Sequence, residues 1–293
     1  MKFTRPGSGK NIRDARGQGG GLGGGFPIPM GGGGKAGGGV LVLIALLAVI
    51  FFGGNVLGDG GGGLDGSLDE IGVSAPAPGS GNTPDPDAEL KNFVSQVLDD
   101  NQQFWSKQFS TADKRYEDAQ LVLFNRPIDT GGCGVANASS GPFYCPADQS
   151  VYLDLNFFRD LRTRFGAPGD FAQAYVLAHE LGHHVQRLLG IESELRKQQE
   201  EDPSRRNELS VRLELQADCL AGVWAYSAYD RGVLEPGDID EGLAAAAAVG
   251  DDRLGAKSPE QWTHGSSALR TKWFQRGYQT GNPGSCDTFA GAI

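Results

Sequence analysis

Apolar residues follow one another without interruption from residue 40 to residue 52, and residues 36–58 carry no charged side chain. With its flanks, this stretch approaches the roughly 20 residues that an α-helix needs to cross a bilayer. A cleaved secretory signal is the alternative, but the basic segment before the stretch is long for a signal, and no clear small-x-small cleavage site ends it. The pattern therefore predicts a single transmembrane helix over residues 38–57.

Glycine and proline dominate the segments on both sides of this stretch. Sixteen of the first 39 residues are glycine, and residues 58–88 combine a glycine run with four prolines. Such segments bury too little apolar surface to offset their ordering entropy. Residues 1–37 are therefore predicted to be disordered and residues 58–88 to form a linker. The remaining residues, 89–293, have the length of one domain with a sizeable core.

Apolar spacing within this domain changes from strand-like to helical. Short apolar runs predict three strands, at residues 121–124, near Tyr144 and at residues 151–155. Beginning at Asp170, apolar residues recur every three or four positions, which predicts a helix that ends at Gly190. Further helices are predicted in four places: residues 88–108, from Ser204 past Trp224, after Asp238 and after Ser266. The expected fold class is α+β, mainly helical with a small β-sheet and preceded by one transmembrane helix.

Charge is distributed unevenly along the chain. Residues 1–37 hold six basic side chains and one acidic side chain, although the whole chain has a net charge of −10. The positive-inside tendency predicts a cytoplasmic N-terminus and a large domain on the extracytoplasmic side of a single-pass membrane protein. The acidic domain speaks against a nucleic-acid partner, because nucleic-acid binding depends on neutralising phosphates.

All four cysteines lie in the predicted outer domain. An even number of cysteines beyond a membrane is typical of disulfides, and the absence of a C-x-x-C pair speaks against a zinc site built from cysteine. Cys133 and Cys145 bracket a short loop and are the simplest pair. Cys219 with Cys286 then follows by elimination.

The run His179-Glu180-Leu181-Gly182-His183 lies on a predicted helix. Histidines four positions apart share one helix face, where both imidazoles can bind one metal ion. The glutamate between them is not a ligand in such an arrangement but contacts the metal's water as a general base. The alternative is a surface helix with two solvated histidines, a coincidence expected in roughly one chain of this length in a hundred.

A catalytic zinc ion usually has three protein ligands and a fourth position for water. His184 points about 100° away from His183 around the helix, which leaves His264 or a carboxylate as the third ligand. Glu214 and Asp218 lie one turn apart in an apolar stretch, where two acids are costly to bury without a cation. If Glu214 binds zinc, Asp218 one turn further on can accept the second N–H of a ligand histidine. An ordinary solvated helix face is the alternative.

These motifs resemble those of a known family. Residues 178–186 and 214–222, together with residues 141–146 and 265–289, are similar to the neutral zinc metallopeptidases of bacterial envelopes, which are of the gluzincin type. The resemblance covers about residues 90–290 and extends to the basic, glycine-rich leader with its single span. It implies a zincin-like fold, one zinc ion per chain, and named roles for five residues: ligands His179, His183 and Glu214, base Glu180, and histidine partner Asp218.

The predicted function is that of a membrane-anchored zinc-dependent endopeptidase with a peptide or protein substrate. Glu180 would take a proton from the attacking water, and His264 or Tyr278 could stabilise the oxyanion. A lone histidine or tyrosine is, however, more often a packing residue. An extended peptide could pair with an edge strand near residues 134–138 or 151–155.

Two other functions compete with the peptidase. One is an envelope binding or scaffold protein with a structural zinc site and no hydrolytic activity, and the other is a module whose helices pack without metal. Hydrolysis of a non-peptide amide is a further possibility within enzymes. Nothing in the sequence indicates an oligomeric state.

Overall fold

The computed structural model describes residues 1–17, 84–256 and 258–293. The strands in this part of the chain are β1 (Ile12–Asp14), β2 (Gln120–Phe124), β3 (Ile128–Asp129), β4 (Val135–Ala136), β5 (Phe143–Cys145) and β6 (Ser150–Asp154). The helices are α1 (Ala88–Thr111), α2 (Asn156–Thr163), α3 (Asp170–Leu188), α4 (Ile191–Glu201), α5 (Arg206–Asp230), α6 (Asp238–Ala248) and α7 (Ser267–Thr280). The predicted class, mixed and mainly helical with small sheets, is confirmed.

Strands β2 and β6 form the centre of a four-stranded sheet with the order β1-β2-β6-β5. Strands β1, β2 and β6 run parallel, and β5 runs antiparallel to β6. Both central strands are buried along most of their length, which is why they appear in the sequence as continuous apolar runs. Because β6 has a neighbour on each side, the expectation of a free edge at residues 151–155 is wrong. The free edge beside β6 belongs to β5, and residues 135–136 lie in a separate two-stranded sheet with β3.

Helix α3 runs through the main core and contacts α1, α5 and α6. The sequence showed its 3.6-residue period because one broad face of the helix is apolar. The predicted long helices are all present. Helices α2 and α4 were not predicted. Helix α4 buries only Leu195 among its 11 residues, so its sequence shows charge and no apolar stripe.

Both predicted disulfides are present. Cys133–Cys145 ties the β3–β4 hairpin to the end of β5, and Cys219–Cys286 ties α5 to the C-terminal segment. The second bridge joins residues 67 positions apart, so it anchors the chain end to the helix that carries Glu214 and Asp218.

Residues 1–17 are ordered against the domain, so the prediction of disorder over residues 1–37 is wrong for this part. Strand β1 pairs with β2 in register Ile12↔Leu121. The backbone N–H of Gly9 donates to Ser95 Oγ at 3.0 Å. Arg16 binds the carboxylates of Asp14, Asp85 and Asp87. These partners are distant in sequence, and composition alone gives no sign of them.

The predicted transmembrane helix over residues 38–57 and most of the predicted linker lie outside the described residues. Within the described ranges, no helix combines the length and the apolar character that a membrane crossing requires. Strand β1 precedes the predicted span in sequence, and its partner β2 follows it. Paired strands lie about 4.8 Å apart, whereas a single membrane crossing between β1 and β2 would leave the two strands on opposite sides of the membrane. The pairing within one chain and a single crossing therefore exclude each other.

An engineered cysteine pair tests this pairing. Arg13 and Val122 are register partners, and the cysteines of the described chain are all paired already. We expect Arg13→Cys with Val122→Cys to form a disulfide in the full-length chain after mild oxidation of membranes, because the two Cα atoms lie within the distance that a disulfide spans. Mass spectrometry of the cross-linked peptides measures the outcome.

The control combines Ile12→Cys with Val122→Cys. These side chains point to opposite faces of the sheet, so they should not cross-link. Absence of the Arg13–Val122 cross-link in folded, full-length protein would contradict the pairing and favour the single crossing predicted from the sequence.

Candidate metal centre

Helices α3 and α5 cross closely enough to bring their polar residues together. Gly182 of α3 faces the backbone of Ala217 on α5, and a Cβ at Gly182 would lie 3.0 Å from the Ala217 carbonyl oxygen. A larger residue at this position would push the two helices apart, because the packed backbone offers little space. The close crossing places His179 and His183 of α3 opposite Glu214 of α5.

These three side chains form a triangle of nitrogen and oxygen atoms. His179 Nε2 lies 3.2 Å from His183 Nε2 and 3.2 Å from Glu214 Oε2, and His183 Nε2 lies 3.5 Å from Glu214 Oε1. A tetrahedral zinc ion with bonds of about 2.0–2.1 Å holds its ligand atoms about 3.3 Å apart. The separation of the two Nε2 atoms, and that of each from its nearer Glu214 oxygen, are close to this value, so the three side chains can hold one zinc ion and leave a fourth direction for water. The structure thus brings together the three residues that the sequence predicts as ligands.

Each of these histidines directs its other ring nitrogen to a fixed acceptor. His179 Nδ1 lies 2.8 Å from Asp218 Oδ1, and His183 Nδ1 lies 2.8 Å from Gln186 Oε1. Because both acceptors are oxygens without a hydrogen, both Nδ1 atoms carry a proton and both Nε2 atoms face the triangle. Asp218 lies where the sequence predicted it. Gln186 was missed, although its position three residues after His183 on the same helix face was an available signal.

Asp218 is fully buried, and Arg270 of α7 provides its counter-charge. Arg270 Nε donates to Asp218 Oδ2 at 2.8 Å, and Nη2 donates to Oδ1 at 2.9 Å. The Tyr175 hydroxyl of α3 also donates to Oδ1, at 2.5 Å. Sequence reasoning missed both partners. The available signal was an arginine beside the apolar residues of the last helix, which has to be paired if that face is buried.

The charges around the triangle favour a cation. Burial alone would lower the pKa of His179, but the carboxylates of Asp218 and Glu214 raise it to about 10. Burial would raise the pKa of Glu214, but His183 and His264 hold it well below its usual value. Both shifts show that the carboxylates stabilise positive charge at this place. A divalent cation supplies such charge, so the electrostatics agree with the geometry.

His264 lies beside the triangle and is oriented by Asp251. The Asp251 carboxylate accepts hydrogen bonds from the backbone N–H groups of Thr263, His264 and Gly265 at 2.7–2.9 Å. Its Oδ1 also lies 3.2 Å from His264 Nδ1. Burial lowers the pKa of His264, but Glu214 and Asp251 outweigh it and raise the pKa above its usual value. Asp251, which the sequence reasoning did not single out, thereby leaves Nε2 of His264 for the adjoining cleft.

Tyr278 does not belong to this centre. Its ring packs edge-on against Tyr229, with the centroids 6.2 Å apart, and it borders a separate depression together with Leu234 and Pro236. The structure therefore does not place the Tyr278 hydroxyl where an oxyanion would form.

A cleft of about 520 Å³ opens beside the three candidate ligands. Phe143 and Tyr144 of β5, with Phe157 and Val176, give one wall an apolar surface. Helix α4 also lines the cleft, with charged residues that include Glu192, Arg196 and Glu200. Glu180 also lines the cleft, next to the triangle. The centre is thus open on the side from which a substrate can enter.

Comparison with known proteins agrees with this geometry. A family model described as "Putative neutral zinc metallopeptidase" matches residues 1–289. The chain belongs to this family. "Uncharacterized protein YpfJ" of Escherichia coli (strain K12) is 49% identical over 211 residues, which cover 70% of this chain and 73% of that protein.

A mycobacterial relative is similarly close. "Uncharacterized protein Rv2575" of Mycobacterium tuberculosis (strain H37Rv) is 51% identical over 193 residues, which cover 60% of this chain and 64% of that protein. No solved structure matches the chain. The family therefore implies zinc and peptide hydrolysis, whereas the relatives' names state no activity.

Removing Arg270 should destabilise this metallopeptidase domain strongly. Arg270→Ala leaves Asp218 buried without its counter-charge, which we expect to lower the free energy of unfolding by about 3–5 kcal/mol. Arg276→Ala on the same helix is the control, because Arg276 is exposed and its guanidinium lies over the face of Trp273, a contact worth about 1 kcal/mol or less. Denaturant unfolding measures the free energy of unfolding of both variants. Equal, small losses would contradict the role of Arg270 as counter-charge.

Proposed function

We propose that this protein is a zinc-dependent endopeptidase of the gluzincin type with a zincin-like domain. The supporting observation is the triangle of His179, His183 and Glu214, whose atom separations of 3.2–3.5 Å match those of one tetrahedral zinc ion. Within the described chain only three such side chains converge there. A structural zinc site usually has four protein ligands, so the open fourth direction favours catalysis over the scaffold alternative.

A zinc ion in this place would supply an acidified water and polarise the substrate carbonyl. Glu180 follows the ligand His179 directly on α3, and its carboxylate lines the cleft. We assign it as the general base, which accepts a proton from the attacking water and passes it to the leaving amine nitrogen. A carboxylate held next to its proton donor and its acceptor can perform both transfers without moving far.

His264 is the candidate for stabilising the oxyanion. Asp251 holds its Nδ1, so Nε2 can donate a hydrogen bond to negative charge that develops on the substrate oxygen. The raised pKa of His264 favours the protonated, donating ring. Of the two residues predicted for this role, the position of His264 supports it and that of Tyr278 does not.

The substrate class follows from the cleft. Strand β5 is an edge strand and supplies part of the cleft wall. An extended peptide can add to such an edge through backbone hydrogen bonds, while its side chains fill apolar pockets. We propose an extended peptide or unfolded protein segment as substrate.

We also propose that the domain works on the extracytoplasmic side of a membrane to which the apolar stretch at residues 38–57 attaches it. The two disulfides support this side, because disulfides persist in oxidising compartments. The position of the N-terminus relative to that membrane depends on the β1–β2 pairing described above.

Replacing Glu180 should abolish hydrolysis without loss of metal. In Glu180→Gln we expect cleavage of denatured casein to fall by about 10²–10⁴-fold, the usual contribution of a positioned acid–base group, while metal analysis still finds zinc. Glu194→Gln is the matched control, because Glu194 is exposed on α4 and outside the cleft. Chelation should inactivate the wild type. Full activity of Glu180→Gln with retained zinc would remove Glu180 from the mechanism.

Replacing His264 should lower kcat more than it raises KM. In His264→Ala we expect kcat to fall by about 10²–10³-fold, as for the loss of one oxyanion donor, with zinc content unchanged. Asp251→Asn should produce part of the same loss, because it weakens the orientation of the ring. Steady-state kinetics on one peptide substrate measures both variants. An unchanged kcat in His264→Ala would show that the oxyanion is stabilised elsewhere.

A further inference from the structure

His184 follows the candidate ligand His183 directly, yet it faces away from the centre. Its side chain is fully buried. Nε2 lies 2.6 Å from the carbonyl oxygen of Glu117, and Nδ1 lies 2.9 Å from the hydroxyl of Tyr144. The rings of Tyr116 and Tyr144 pack edge-on against it, each with its centroid 5.4 Å away. Neither metal binding nor proton transfer uses this histidine.

The two hydrogen bonds fix the tautomer of His184. A backbone carbonyl can only accept, so Nε2 carries the hydrogen that points to Glu117. Nδ1 is then the acceptor, and the Tyr144 hydroxyl donates to it. The imidazole therefore connects α3 to Tyr144 in one orientation, and neither bond can reverse its direction.

Tyr144 is the middle residue of β5, the edge strand that borders the cleft. Strand β5 is three residues long, and among the described residues its one strand neighbour is β6, on which Tyr144 pairs with Val151. Its end is held by the Cys133–Cys145 bridge. Of its three residues, Tyr144 is the one that makes a side-chain hydrogen bond to α3. The position of this short strand relative to α3 thus depends on the hydrogen bond between Tyr144 and His184.

We propose that His184 is a positioning residue that fixes β5 relative to α3, so that a peptide added to β5 presents its scissile bond to the neighbouring centre. The inference rests on the proposed peptidase function. His183 and His184 are consecutive on α3. The same helical turn therefore places a candidate metal ligand and the histidine that holds β5. The alternative is an ordinary buried histidine that only contributes stability.

Two substitutions remove the same hydrogen bond from opposite ends. Tyr144→Phe deletes the hydroxyl and keeps the ring. His184→Gln places an amide NH₂ near the former Nε2, so that the bond to the Glu117 carbonyl can persist while the acceptor for Tyr144 is lost. In each variant we expect KM for a peptide of about ten residues that the wild type cleaves to rise about tenfold, the equivalent of one hydrogen bond, with kcat changed less than twofold.

The double variant tests whether the two residues act as one unit. Because a single bond is removed in all three variants, Tyr144→Phe with His184→Gln should raise KM no more than either change alone. Tyr116→Phe is the matched control. Tyr116 packs on the same imidazole, but its buried hydroxyl has no hydrogen-bond partner in the described chain, so its loss should leave KM unchanged.

Amide hydrogen exchange gives a readout without catalysis. In Tyr144→Phe and His184→Gln the amides of β5 should exchange at least about tenfold faster than in the wild type, while those of β2 stay protected. Tyr116→Phe should exchange like the wild type. Exchange can be measured on protein that shows no hydrolysis, so it also reports on a variant with little activity.

The outcomes separate the two levels of the proposal. Loss of the strand protection with a selective rise in KM supports His184 as a positioning residue. Wild-type exchange at β5 in both variants, additive KM effects, or equal losses in kcat and KM would overturn it. If the zinc-loaded wild type cleaves no peptide, the proposed function fails instead, and the exchange data still decide whether His184 holds β5.

Discussion

The buried carboxylate of Asp218 is the constraint on which the rest of the centre depends. It belongs to α5, accepts hydrogen bonds from His179 and Tyr175 of α3, and forms an ion pair with Arg270 of α7. A charge with no solvent exposure is costly unless every lone pair is satisfied. Three helices therefore have to meet at one point. The close approach of Gly182 to α5, and of Gly277 on α7 to Cys219 on α5, makes that meeting sterically possible.

This arrangement orders the candidate metal ligands through contacts within the protein itself. Asp218 and Gln186 accept hydrogen bonds from the Nδ1 atoms of the two histidines, so that both Nε2 atoms point to the same place. Arg270 forms an ion pair with the buried carboxylate of Asp218 at 2.8 Å and lies 4.0 Å from Glu214, whose half-buried carboxylate faces both histidines. Little reorganisation is then needed on binding. Helix α3 also contributes to the cleft, because His184 connects it to β5, the edge strand that lines the cleft.

The N-terminal segment shows how composition can mislead. Glycine content predicted disorder for residues 1–37, yet β1 completes the sheet and Arg16 binds three carboxylates near the start of α1. A short strand gains its stability from hydrogen bonds to a neighbour and from burial against the core. Neither contribution is visible in the strand's own residues. The β1–β2 pairing also excludes a single membrane crossing between the two strands, which the apolar stretch and the basic leader could not reveal.

The sequence by itself determined the long helices, the central strands and the two histidines on one helix face, whereas it reached the disulfide pairs by elimination and Glu214 as third ligand through resemblance to a family. Local rules account for these elements: helical spacing places His179 and His183 on one face, apolar periodicity marks buried faces, and two acids in an apolar stretch are costly to bury without a cation. Helix α4 escaped prediction because it buries one residue.

Only the tertiary structure decided which partners complete the site. Arg270 and Asp251 gain their contacts from separate elements, and α7 turns Tyr278 to another surface, whereas His264 lies beside the candidate ligands. Such choices depend on how helices cross, and packing between distant segments leaves no periodic signal in a single sequence.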